Sequence, residues 1–331
     1  KEAYSIYMYD YEQSTLFRRI QLEKVGPNGI REFFTFQFFF HAMDSIFIRV
    51  PLIGQYLIND KAEVIDKHAA EDSRIFQKEI RNASYDGASY YENGEINTFW
   101  TSTNQGKNEE PTYLRAIIDW KNDSIASRNI SAIQVFSDYP KIQEMLNRKD
   151  KTFIPIKVHF LRSPEFLFAS TPISDSIFLF KDNQRVKSIY AGNPNYTIAD
   201  YETFLNLREV KNIRSGSSGS VSSVEEPIQP PYYGDISISP DGKYIYRVLA
   251  HGTRPLYNEL LERDRPDVIG ATLIVVNTET NEISYFELPI DEIDLKVPES
   301  INVFTSNEGI HFRVKDQQNE NQIQFRVFGV K

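Results

Sequence analysis

Five histidines, at positions 41, 68, 159, 251 and 311, are the side chains best suited to move a proton near neutral pH, and each stands alone in the sequence. No His-Glu-x-x-His pair is present, so the zinc-peptidase arrangement is excluded. The chain has no cysteine, which removes thiolate nucleophiles, thiolate metal sites and disulfides together. A Gly-x-Ser-x-Gly elbow, a Walker loop and a dinucleotide-binding glycine fingerprint are also missing. What survives is carboxylate chemistry. Two acids facing each other about 5–10 Å apart cleave a glycosidic bond. Asp44, Asp235, Asp241 and Glu308 lie beside apolar stretches where such a pair would stand. Asp44, Asp241 and Glu308 share one recurring acidic turn, where a carboxylate holds the turn itself. Asp235 stands apart from that turn, and one carboxylate makes no pair.

The remaining candidates are binding residues. His251, Arg254 and Tyr257 gather an imidazole, a cation and an aromatic ring within seven residues. Against a ligand-reading role stands that of an ordinary packed loop. Arg49, Arg247 and Arg313 close three similar strand motifs, and could converge as an anion-binding ring. The structural alternative is that each pairs with a neighbouring carboxylate inside the fold. Tyr232 and Tyr233, after Pro230-Pro231, offer a stacking platform or simply begin a strand. Trp100 and Trp120 fall within strand patterns and read as core. No catalytic residue, metal ligand set or cofactor follows from these residues.

These side chains need strands to position them. Five stretches read as hairpins, with turn residues between two runs of branched and aromatic side chains: 5–22, 55–68, 114–130, 176–192 and 273–289. Before most of these stands a strand, an acidic turn and a second strand, the recurring unit being MDSIFIRV (43–50), PDGKYIYRV (240–248) and NEGIHFRV (307–314). NGEINTFW (93–100) and SPEFLFA (163–169) repeat the unit without the arginine. The period is therefore four strands. Repeated four-stranded antiparallel units predict an all-β fold, a β-propeller, with six blades favoured and five or seven open. It is expected as one domain over 1–331, closed by pairing of the N- and C-terminal segments, with 322–330 as a spare strand. Helical spacing is expected only at 140–148 and 255–264, each starting on proline.

ISISPDGKYIYRV (236–248), followed by LIVVNTETNEISYFELP, resembles the blade repeat of the TolB-like bacterial propeller family. The opening of the chain, with Val25-Gly26-Pro27-Asn28-Gly29, resembles an uncharacterised group of exported bacterial propellers, often predicted lipoproteins. That resemblance implies an exported or envelope-anchored scaffold and supplies no catalytic residues.

The long insertions, 102–111, 131–155, 193–234 and 251–270, all fall between second and third strands or between blades, so one face should carry them all. Within the third, 214–224 reads as a Gly/Ser tether. The expected function is non-catalytic binding of a protein, peptide or glycan on that face, with a two-carboxylate glycosidase as the alternative.

With 37 Lys+Arg against 46 Asp+Glu the net charge is −9, which disfavours nucleic acid and anionic lipid as partners. The most apolar run, Phe33–Phe40, is interrupted by Thr35 and Gln37 and is too short to span a membrane as a helix. Lack of cysteine fits an oxidising compartment. The start at Lys1 without Met leads to the expectation of an exported chain, in the periplasm or at a bacterial cell surface, with a removed lipid anchor as its one membrane link.

Overall fold

The computed structural model describes residues 4–10, 12–13, 15–30, 37–50, 53–69, 90–104, 112–127, 130–147, 158–163, 165–198, 230–258, 263–295, 303–315 and 323–329. The tether at 214–224 lies outside them, as do residues 105–111, 148–157 and 259–262. Tight turns set the registers. Asn93-Gly94 and Asp182-Asn183 each sit between paired strands with both φ angles positive, the geometry that matches the twist of a two-residue hairpin. In Ser239-Pro240-Asp241-Gly242, Gly242 has φ +76°, while Asp241 accepts from Ser239 Oγ at 2.6 Å and Lys243 N at 3.1 Å. Asp44 likewise accepts from Ser45 Oγ, so these two carboxylates are committed to their turns.

The chain packs as two compact units, one over Lys1–Ala132 with Gln318–Ile323, the other over Ile133–Gln317 with Gln324–Lys331. In the first, strands β1 (Tyr4–Asp10) and β2 (Thr15–Leu22) form a hairpin. Strands β3 (Gln37–Ala42), β4 (Ser45–Val50), β5 (Gly54–Ile58) and β6 (Val64–Ala69) follow as an antiparallel sheet in chain order. Strands β7 (Tyr90–Glu92), β8 (Glu95–Asn104), β9 (Thr112–Asp119) and β10 (Ser124–Ser127) make the next, with β11 (Ile130–Ser131) beside β9. Side chains alternate faces along a strand. Ile46, Ile48 and Val50 therefore pack with Ile6, Ile20 and Leu22 of the hairpin. Phe47, on the opposite face, meets Tyr91 at 5.5 Å and Trp120 at 5.2 Å between ring centroids. Trp120 is buried, as expected, and its indole donates to Asp66 at 2.9 Å.

The second unit opens with helices α1 (Ala132–Val135) and α2 (Pro140–Asn147), the latter the expected proline-led helix. Strands β12 (His159–Arg162), β13 (Leu167–Ser170), β14 (Ser176–Lys181) and β15 (Gln184–Tyr190) form a four-stranded sheet. The next comprises β16 (Tyr232–Ile238), β17 (Tyr244–Ala250), β20 (Ala271–Asn277) and β21 (Ile283–Glu287). Between β17 and β20 rises a separate hairpin, β18 (Thr253–Asn258) with β19 (Arg263–Val268). The last sheet is β22 (Val303–Ser306), β23 (Gly309–Arg313) and β24 (Phe325–Phe328). Ile245, Leu249 and Ile274 pack on Phe168, Ile177 and Leu179 of the preceding sheet. Tyr246, Val248 and Val275 pack on Ile310 and Phe312 of the following one. A strand covered on both faces has no solvent side, and β17 and β20 are accordingly almost continuously apolar.

Three expectations are corrected. The expected helix over 255–264 is instead part of a β-hairpin. Pro255 and Pro266 stand opposite each other in it, tolerated because a two-stranded ribbon has two free edges. The spare strand has a place: β24 pairs with β23 as third strand of the last sheet. The three arginines do not share a register. Strand β17 runs three residues past Arg247, which faces the preceding sheet with Ile245 and Leu249, whereas Arg49 alternates with Ile48 and Val50 and shares the face of Phe47. A one-residue offset turns a side chain to the other face.

Gly309 gives a direct test. Its φ is +135°, and an added Cβ would lie 2.1 Å from the Phe328 carbonyl oxygen. Gly309→Ala should lower stability by about 1–3 kcal/mol, read as a drop in urea midpoint at unchanged slope.

Candidate functional site

The sheet β12–β15 and the sheet holding β16, β17, β20 and β21 share one orientation, so their loop ends lie on the same side of the packed pair: the second strand ends, the third begins and the fourth ends there. Tyr190 ends β15 opposite Ser176, and Glu287 ends β21 opposite Thr272. The hairpin β18–β19 and the segment 191–198 emerge from this end.

Beneath it lies Arg247. The side chain is fully buried, with its guanidinium carbon 3.6 Å from the centroid of the Tyr233 ring. Nη2 donates to the carbonyls of Thr171 at 2.9 Å and Ser174 at 2.7 Å, and Nη1 to that of Ala191 at 3.2 Å. Burial lowers its pKa to about 10, with Tyr233, Asp175 and Tyr139 favouring the cation. The Tyr233 hydroxyl donates to Asp175, and burial holds that phenol far above its ordinary pKa. Arg247 therefore anchors two loop-end segments, 171–175 and 191, to the next sheet.

Above Arg247 a relay reaches the surface. Thr272 Oγ1 donates its one proton to Glu287 Oε1 at 2.9 Å. The same oxygen then accepts from His251 Nε2 at 2.7 Å, which leaves Nδ1 to accept from the Tyr196 hydroxyl at 3.0 Å. Tyr196 also stacks on the imidazole, 4.1 Å between centroids. This closeness requires Gly270, where a Cβ would lie 2.5 Å from Nδ1. Burial lowers the His251 pKa and outweighs the opposing pull of Glu287.

Around the relay lie exposed groups. Tyr190 and Tyr285 are 48% and 41% exposed, and the Tyr285 hydroxyl donates to the Gly192 carbonyl at 3.0 Å. Burial raises both phenol pKa values, and for Tyr190 the charge of Asp175 adds to the effect. Asp175 and Glu287 are exposed beside them. The arrangement offers aromatic faces, protonated phenols and carboxylates.

Of the sequence candidates, His251 belongs to this end. Arg247 and Tyr233 form its buried floor, and Tyr232 is buried in the core on the opposite face of the same sheet. The backbones of Arg254 and Tyr257 lie in β18, and their side chains lie outside the described residues. Arg49 is buried in the first unit, and Arg313 is half-buried at the end of β23. Asp235 sits at an irregularity in β16 and pairs with His159, buried on β12. Glu308 lies in the β22–β23 turn, where its N–H donates to Ser306 Oγ. Trp100 lies in β8, its side chain outside the described residues. Sequence reasoning missed Tyr190, Tyr196, Tyr285, Asp175 and Glu287. Asp175, Tyr190 and Glu287 shared a signal of position, at or next to strand ends on one side, which Tyr196 and Tyr285 did not carry.

A family model described as Domain of unknown function (DUF4221) matches residues 1–249. The chain belongs to the DUF4221 family. A crystal structure of a DUF4221 member from Bacteroides vulgatus superposes with a TM-score of 0.63 at 16% identity, covering all of this chain and 88% of that one. The two share a fold. Virginiamycin B lyase from Staphylococcus aureus matches at TM-score 0.34 and 9% identity, over 100% of this chain and 90% of that one. The periplasmic gluconolactonase of Pseudomonas aeruginosa matches at 0.34 and 12%, over 98% and 85%. Neither reaches the similarity at which chains share a fold. No curated protein matches in sequence.

Two outcomes follow. Arg247→Ala would leave the buried carbonyls of Ser174 and Ala191 without their donor, Thr171 keeping the Ser174 N–H, and should cost about 3 kcal/mol, measured by denaturant unfolding. Burial also lowers the pKa of His311. The folded chain thus holds protons on His251 and His311 less readily than the unfolded chain, whose imidazoles titrate near 6.5. Their contribution is fully present above that pH and is lost as pH falls through the lower folded values. Thermal scans from pH 7.5 to 5 should show the melting temperature falling, and His251→Gln with His311→Gln should flatten the slope.

Proposed function

We propose that this DUF4221 protein is an exported, non-catalytic scaffold of propeller type that recognises a glycan at the loop end of its second unit. The propeller reading, closed by the chain ends, rests on the repeated four-stranded order and on a central sheet covered on both faces. Export rests on the absence of cysteine.

The observation that carries the binding reading is the pair of exposed rings, Tyr190 and Tyr285, flanked by Asp175 and Glu287 over a floor fixed by Arg247. An aromatic face takes the apolar face of a sugar ring, while a carboxylate accepts from its hydroxyls. The two carboxylates favour neutral or amino sugars over acidic ones. Catalysis finds less support, since Asp44 and Asp241 hold turns and Asp235 is paired with His159.

A glycan array probed with the full chain tests this. Neutral or amino-sugar glycans should bind, and Tyr190→Ala and Tyr285→Ala should each weaken binding about tenfold or more with the fold intact. Silence across the array, or binding indifferent to both substitutions, would overturn the reading.

A further inference from the structure

At the turn end of β15, opposite to Tyr190, lies a cleft of about 430 Å³ between this strand and the segment that follows α1. It is shallow and open to solvent, with room for a small ligand. Unlike the loop end it has no aromatic lining. Gln134, Ser137, Gln184, Arg185, Val186 and Lys187 contribute to its walls.

Three features give the cleft a chemical preference. First, Arg185 is held in place. Its side chain is 15% exposed, its guanidinium carbon lies 4.1 Å from the Phe178 ring centroid, and its two terminal nitrogens donate to Ser137 Oγ and Asp138. Second, the register slips between Leu179–Lys187 and Phe180–Arg185, so Val186 is the extra residue of a β-bulge. Its backbone groups fall out of the ladder on the strand that borders the cleft, and the bulge re-aims its neighbours. Third, Gln134 Nε2 donates to Gln184 at 2.8 Å while its Oε1 is buried without a hydrogen-bond partner. Lys187 adds an exposed cation.

Asp138 is the telling residue. It is 58% exposed, lies in the turn between α1 and α2, and caps one prong of a guanidinium whose other prong is held by Ser137 in the cleft wall. A carboxylate is the group an arginine fork fits best. We infer that the cleft binds a small carboxylate-bearing ligand, whose carboxylate displaces Asp138 from Arg185 while Lys187 and the Gln134 amide oxygen meet its remaining charge and donors. Asp138 then acts as an internal competitor that weakens the site.

Calorimetric titration of the full chain with sodium glucuronate, with N-acetylglutamate amide and with glucose tests this at fixed ionic strength. At least one carboxylate probe should bind saturably and glucose should not; the probe that binds tells a sugar acid from an acidic amino-acid side chain. Asp138→Asn should tighten that binding about tenfold, and Arg185→Lys, which keeps the charge and loses the fork, should weaken it about tenfold. Lys187→Gln, on an exposed side chain, should weaken it several-fold without disturbing the fold. Failure of both carboxylates to bind the Asp138→Asn chain, or equal binding by Arg185→Lys, would overturn the inference.

Discussion

A buried guanidinium governs the second unit. Arg247 has given up water entirely, and three main-chain carbonyls and an aromatic face replace the hydration of its two terminal nitrogens, while the buried Nε has no partner among the described residues. The three carbonyls come from two loop-end segments of the preceding sheet, so one side chain fixes where those segments stand against the next sheet. Apolar packing between the sheets is larger in total, but it is non-directional. The arginine supplies direction. Its fork admits few arrangements of three oxygens, and Asp175, Ala191 and Tyr233 are positioned as a consequence.

Hydrogen bonds to the main chain also spare the site a buried counter-ion. Asp175 receives the Tyr233 hydroxyl and remains at the surface, while Arg247 stays charged well above neutral pH despite its depressed pKa of about 10. Positive charge below and negative charge above thus coexist at one sheet end. At the opposite end of β15 the second unit does the reverse, holding Arg185 with a carboxylate counter-ion, Asp138.

Much of the fold was legible because strand alternation and turn chemistry are local. Asn93-Gly94, Asp182-Asn183 and Ser239-Pro240-Asp241-Gly242 each specify a turn from two to four residues, and all five expected hairpins are present. Pro255 misled because a proline suits both the first turn of a helix and the edge of a ribbon. The arginines misled because similar motifs were aligned by their final residues, whereas pairing with β5 and β20 sets the register. The candidate site was legible only as a side of the molecule. Tyr285 meets Gly192 across 93 residues and Tyr233 meets Asp175 across 58, and nothing local in the sequence of a tyrosine announces such a partner.

The Tyr285 hydroxyl is tethered to the Gly192 carbonyl, so this ring cannot swing as a free surface tyrosine would. Its rotational freedom has already been surrendered when the chain folds. A molecule that lands there meets a preorganised plane and loses less entropy on docking, so even a shallow contact can hold it.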